Sequence, residues 1–189
     1  MRFDFDYLHR VGRNIRIHGN GFVQIDLLDR PGERVHLFGH PDIPRQARPT
    51  PIHDHRFGFV SNILSGCLVN VMWDAHETSI ASHVVCGYEP GIGEDTKLIP
   101  TGVEVGVIKR YAEVLDYGST YRVKPGELHE TFANEATLTH MRKMGVEDIK
   151  PRVLCRIGQE PDNSFDRHQM MKEEGIWEIV RDAWKGTSE

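Results

Sequence analysis

Short apolar runs of strand length, each cut off by glycine, proline or Asp/Asn turn residues, restrict the folds open to this chain more than any other feature. Phe22-Val23-Gln24-Ile25-Asp26-Leu27-Leu28 is followed by Asp29-Arg30-Pro31-Gly32 and then by Arg34-Val35-His36-Leu37-Phe38. Two strand-like runs around a turn signal predict a β-hairpin. Further strands are expected at 52–64 (interrupted by Gly58), 67–73, 103–114, 119–123, 130–132, 137–141 and 152–157. Pro41, Pro44, Pro49 and Pro51 predict a stiff extended connector, because each proline fixes φ and removes a donor. The Gly- and Pro-rich stretch 87–106 is expected to be a long loop, a common place for a lid. The first 20 residues are polar and mixed, with a short helix near 7–13. One longer helix is expected over 165–184, capped from Asp162-Asn163-Ser164 and interrupted by Gly175. Its stripe of Ile176, Trp177, Ile179, Val180 and Trp184 has helical spacing and reads as core packing. Many short strands and a terminal helix predict an all-β sandwich or barrel.

A chain of 189 residues suits one domain, 1–189, with a β core over about 20–158 and a helical segment over 162–186. The net charge of −5 is spread along the sequence, and no Lys/Arg run is long enough for a nucleic-acid groove. No apolar stretch approaches a membrane span, and the acidic Met1-Arg2-Phe3-Asp4-Phe5-Asp6 does not read as a signal peptide. Cys67, Cys86 and Cys155 are an odd number without a CxxC pair, which argues for a reducing compartment and hence the cytoplasm. Cys67 and Cys155, in apolar strand contexts, read as inert packing residues.

Histidines carry the chemical signal. Pro51-Ile52-His53-Asp54-His55 places two imidazoles one residue apart, which on a β-strand would share a face. Pro125-Gly126-Glu127-Leu128-His129 offers a third from another strand. Three neutral imidazoles suit Fe, Zn, Cu or Ni, whereas Mg and Ca prefer oxygen. Without a carboxylate ligand the ion would keep its double positive charge, favouring a small anionic substrate. The remaining histidines, among them His9, His18, His36, His76, His83 and His168, lack ligand spacing.

His53, His55, Phe59 and Gly66, then Gly118, Pro125-Gly126, His129 and Asn134, resemble the two motifs of the cupin superfamily. The second match is loose, since the middle residue of the Pro-x-Gly element is missing. The resemblance implies a cupin jelly-roll β-barrel with His53, His55 and His129 as metal ligands. Phe59 stands where the usual cupin glutamate ligand would be. A three-histidine set without glutamate resembles the thiol dioxygenases typified by cysteine dioxygenase. That implies Fe(II), with Zn, Ni or Mn as alternatives, and dioxygen chemistry on a small anionic, thiol-type substrate. Gln24 would then contact the substrate carboxylate. The family's Ser-x-His-x-Tyr relay would fall at Leu138-Thr139-His140-Met141-Arg142, where only His140 matches and Arg142 replaces the tyrosine. The catalytic candidates are therefore His140, Arg142 and Gln24.

Two other readings stay open on the sequence: a non-catalytic ligand-binding or structural cupin, and a metal-assisted isomerase or hydrolase. Glu127 could face inward with His129 by alternation, though a solvated turn carboxylate explains it as well. Tyr121 could enter the pocket, and Arg45 and Arg48 could grip a carboxylate. Gly91-Ile92-Gly93 lacks the rest of a dinucleotide fingerprint. A small-molecule substrate is the expected partner, no nucleic acid or membrane is expected, and a homodimer is compatible with the fold.

Overall fold

The computed structural model describes residues 3–44, 51–89, 97–159 and 171–185. Asp4 caps the first helix, α1 (Phe5–Val11), by accepting from the Tyr7 N–H at 2.9 Å. The chain then turns straight into β1 (Gly12–His18), a strand hidden from sequence reasoning by a bulge between Arg13 and Arg16 and a left-handed Asn14. The predicted hairpin forms as β2 (Phe22–Leu27) and β3 (Glu33–Phe38). β4 (Phe57–Ser65) and β5 (Cys67–His76) follow, joined at Gly66. Gly66 has φ +72°, and a Cβ there would lie 2.8 Å from the Ala136 carbonyl oxygen, so only glycine fits this corner.

The expected loop at 87–106 is instead largely strand. β6 (His83–Glu89) and the long β7 (Lys97–Asp116) pair across it, residues 90–96 lying outside the described set. The proline signal misleads here because Pro100 pairs opposite Cys86, next to a register shift where a missing donor is tolerated. β8 (Thr120–Val123), β9 (Leu128–Phe132), β10 (Thr137–Val146) and β11 (Val153–Arg156) complete the strands. α2 (Glu173–Lys185) ends the described chain, and the proposed caps at 162–164 lie outside it.

Among the described residues all pairings are antiparallel and build two sheets, ordered β1-β2-β3-β10-β4-β8 and β11-β6-β7-β5-β9. One core layer lies between the larger sheet and the helices: Val23, Ile25, Val35, Leu37 and Leu138 pack against Leu8, Ile176, Trp177 and Val180. A second contains Phe38, Phe59, Met141 and Tyr121 of the larger sheet with Leu68, Met72 and Leu115 of the smaller. Strand alternation thus sends odd-numbered β2 and β3 residues to the helices and even-numbered ones to the inter-sheet space. Among the described residues no helix is long and apolar enough to cross a membrane.

Candidate metal centre

His53 and His55 do not share a regular strand. The segment 52–54 is a single rung between two strands. The His53 N–H donates to the His129 carbonyl at 3.0 Å and the His129 N–H returns a bond at 2.9 Å. On the other side, Leu154 N–H donates to the Ile52 carbonyl at 2.9 Å, and Asp54 N–H to that of Arg152 at 3.0 Å. His53 and His129 are therefore directly opposite each other, which brings two imidazoles together by register. His55 joins them two residues before β4, its ring stacked on Phe57 at 4.9 Å. Gly126 N–H donates to the His55 carbonyl at 2.9 Å, tying this segment to the Pro-Gly turn that precedes His129.

The three rings offer ligand nitrogens that all lie within 4.8 Å of one another. His55 Nε2 and His129 Nε2 are 3.3 Å apart. That separation fits two donors on one ion at about 2.0–2.1 Å each. The opposite nitrogens are occupied: His53 Nδ1–H donates to the Pro51 carbonyl at 2.8 Å, and His129 Nδ1–H to Asn70 Oδ1 at 3.3 Å. These bonds select the tautomer that leaves Nε2 as a lone pair. Burial holds all three rings neutral. Desolvation pushes the His55 pKa down to about 2 and His129 well below its ordinary value, with the neighbouring histidines adding repulsion. His53 is lowered by desolvation too, against the opposing pull of the Pro51 carbonyl and Asp54.

Asp54 anchors the segment. Its carboxylate, 1% exposed, accepts from the Arg152 backbone N–H at 2.6 Å and from Arg152 Nε at 2.7 Å. Neither this clasp nor the Asn70 contact was visible in the sequence, because both partners come from distant strands.

The histidines line a cavity of about 170 Å³ together with Gln24, Arg34, His36, Phe59 and Tyr121. Phe59 is buried with its ring centroid 5.7 Å from that of His55 and 5.5 Å from that of His129. Gln24 does reach the cavity wall, and Arg34 stands beside it, its NH1 donating to Gln24 Oε1 at 3.4 Å. Arg34 also pairs with Asp26 at 2.8 Å, while Arg16 approaches the same carboxylate at 3.4 Å. Two guanidiniums thus share one carboxylate, leaving a positive surplus along this wall. His36 Nε2 is buried with no hydrogen-bond partner among the described residues, and desolvation lowers the ring's pKa to about 3. Arg34 and His36 belong to no motif of their own, although hairpin alternation back from Phe38 puts all three on one face.

Two catalytic candidates are elsewhere. Met141 points into the cavity, so its neighbours His140 and Arg142 stand on the opposite face of β10. His140 Nε2 meets Glu33 at 2.7 Å and its ring packs on Phe3, while Arg142 is exposed. Glu127 accepts from the Lys124 N–H at 2.8 Å and is a turn carboxylate. Tyr121 lines the cavity, and burial raises its pKa. Arg45, Arg48 and Gly91-Ile92-Gly93 lie outside the described residues.

No family model matches the chain, and no curated protein does. Solved structures with a likeness include Streptomyces albus HEPD with 2-hydroxyethylphosphonate and Fe(II) bound, at 15% identity and TM-score 0.34 over 68% of this chain and 22% of that one. A conserved Streptococcus pyogenes protein of unknown function aligns at 13% identity and TM-score 0.37, covering 79% of this chain and 89% of the other. Hydroquinone 1,2-dioxygenase from a Sphingomonas strain, with 4-hydroxybenzoate bound, aligns at 11% identity and TM-score 0.30, covering 62% of each. The chain spans less than two thirds of HEPD and of the Sphingomonas dioxygenase. Likeness at this level leaves fold family and chemistry to the chain's own residues.

Proposed function

We propose that this protein is a metal-dependent oxygenase of cupin architecture in which His53, His55 and His129 hold one divalent ion, with Fe(II) as the working metal. The observation that carries the reading is the convergence of three neutral imidazoles, two of them with Nδ1 tied to a carbonyl-type acceptor so that Nε2 faces the others. Among the described residues only nitrogen donors meet there, and Phe59 fills the place of a fourth, carboxylate ligand. Such a set suits Fe, Zn or Ni better than Mg or Ca. Bound Fe(II) would supply dioxygen activation beside a coordinated substrate.

The rest is the work of the chain's own groups. Gln24 and Arg34 offer an amide and a guanidinium to a small anionic substrate, whose charge the surplus shared by Arg16, Arg34 and Asp26 favours. His36 offers a buried ring nitrogen for one more hydrogen bond. Phe22, Phe38, Phe57 and Phe59 give the cavity apolar walls that limit water. His140 and Arg142 have no part in this site, since neither reaches the cavity.

Metal analysis of protein purified without chelator and then loaded anaerobically tests the proposal. Close to one equivalent of iron is expected, lost in His53→Ala and His129→Ala while circular dichroism stays unchanged. Oxygen-electrode assays should then show uptake with a small chelating acid, thiol or otherwise. No retention of Fe, Zn, Ni or Mn would overturn the metal site. Tight zinc or nickel with no oxygen uptake would replace the oxygenase with an isomerase or hydrolase.

A further inference from the structure

Cys86 and Cys155 lie on neighbouring strands β6 and β11, beside the His53 segment that is bridged to β11. The register pairs Val153 with Cys86 and Cys155 with Val84, so the two cysteines are diagonal neighbours on one face. They form a small buried cluster with Val153, flanked by Val84 and Leu98, and are themselves 0% and 1% exposed. Their sulfurs are 2.8 Å apart. Non-bonded carbon pairs rest at about 3.5–4.0 Å, and sulfur is larger, so this is closer than ordinary packing. A disulfide bond needs about 2.05 Å, so the two sulfurs already stand close to bonding distance. The right-handed twist of the sheet, which shortens one diagonal at the expense of the other, accounts for a diagonal rather than a directly opposed pair.

We propose that Cys86 and Cys155 are a modification site: a dithiol that closes reversibly to a disulfide with a peroxide as oxidant, stapling β6 to β11. In the first step one thiol is oxidised by hydrogen peroxide to a sulfenic acid, and one water leaves. The second thiol then attacks that sulfur, forming the S–S bond and releasing a second water. Two electrons pass from the sulfur pair to the peroxide, and a dithiol reductant reverses the change. A peroxide is small enough to reach a buried pair during local opening of the strand ends. The staple bears on the histidines through position: Val153 is bridged to His53, and Arg152 clasps Asp54. Cys67, on β5 with its amide held by Thr137, is remote from the pair in the sheet order and does not take part.

The test treats the folded, full-length, metal-free protein with hydrogen peroxide, then denatures and alkylates it. The expected result is a fall from three alkylatable thiols to one, with a mass loss of two hydrogens and a Cys86–Cys155 crosslinked peptide after digestion. Dithiothreitol should restore all three thiols. Cys67→Ser should crosslink as the wild type does, whereas Cys155→Ser should not. If Cys155→Ser fails to fold, the crosslinked peptide from Cys67→Ser decides the matter alone. Three thiols retained after treatment, or a crosslink that uses Cys67, would overturn the proposal.

Discussion

Phe59 is the residue that sets the character of the cavity. It packs between His55, His129 and Tyr121, so a hydrocarbon ring borders two of the three imidazoles. An apolar neighbour keeps the local dielectric low, which is also why the imidazoles stay neutral. Phe59→Glu is therefore expected to have opposite effects with and without metal. Without metal, a carboxyl group in this pocket should destabilise the fold by about 3 kcal/mol or more, measured by urea unfolding. With a divalent ion added, the variant should regain more stability than the wild type does. Equal recovery in the two proteins would mean that position 59 does not face the ion.

Among the elements, the decisive one is the short rung 52–54, which belongs to neither sheet as a regular strand and yet pairs with both β9 and β11. Backbone bonds set its height, and the Asp54–Arg152 clasp sets its rotation, with Arg152 NH2 also reaching the Gly126 carbonyl at 3.3 Å. The Arg152 side chain is 44% exposed, so solvent screening makes the pair weaker than its geometry suggests. The buried carboxylate matters more as an acceptor. Asp54→Ala should cost about 1–3 kcal/mol in unfolding free energy, since it strips the Arg152 N–H of its side-chain partner. It should also weaken divalent-metal binding by about 10–100-fold, read by calorimetric titration, because both flanking histidines lose their support. Normal affinity in a folded Asp54→Ala protein would show that the backbone rung alone positions them.

For the whole molecule, the buried histidines make stability depend on pH. His36 and His55 are held neutral down to about 3 and about 2, and His53 and His129 are shifted the same way. In the unfolded chain the same rings take up protons near pH 6.5. Between those values the unfolded state binds more protons, so stability is complete above about 6.5 and is lost as pH falls toward 3. Each ring contributes at most about 1.4 kcal/mol per pH unit, so even two acting together give a slope near 3 kcal/mol per unit. The metal-free protein should therefore acid-unfold steeply below pH 6, measured by unfolding free energy against pH. His36→Asn should flatten that slope by about one proton.

Local chemistry alone determined much of this protein. Alternation and turn residues marked the β2–β3 hairpin, the strand rhythm and the helical stripe of α2, because each depends on neighbours within a few residues. The histidine spacing likewise singled out His53, His55 and His129. Tertiary structure decided the rest. β7 forms through Pro100 because pairing with β6 outweighs a local turn signal. His140 and Arg142 face away from the cavity because strand register, not motif spacing, selects the face. Asn70, Asp54 with Arg152, the Arg34 wall and the Cys86–Cys155 contact all join residues far apart in the chain. Contacts of that kind leave no periodic trace in a sequence. Only folding brings the donor to its acceptor.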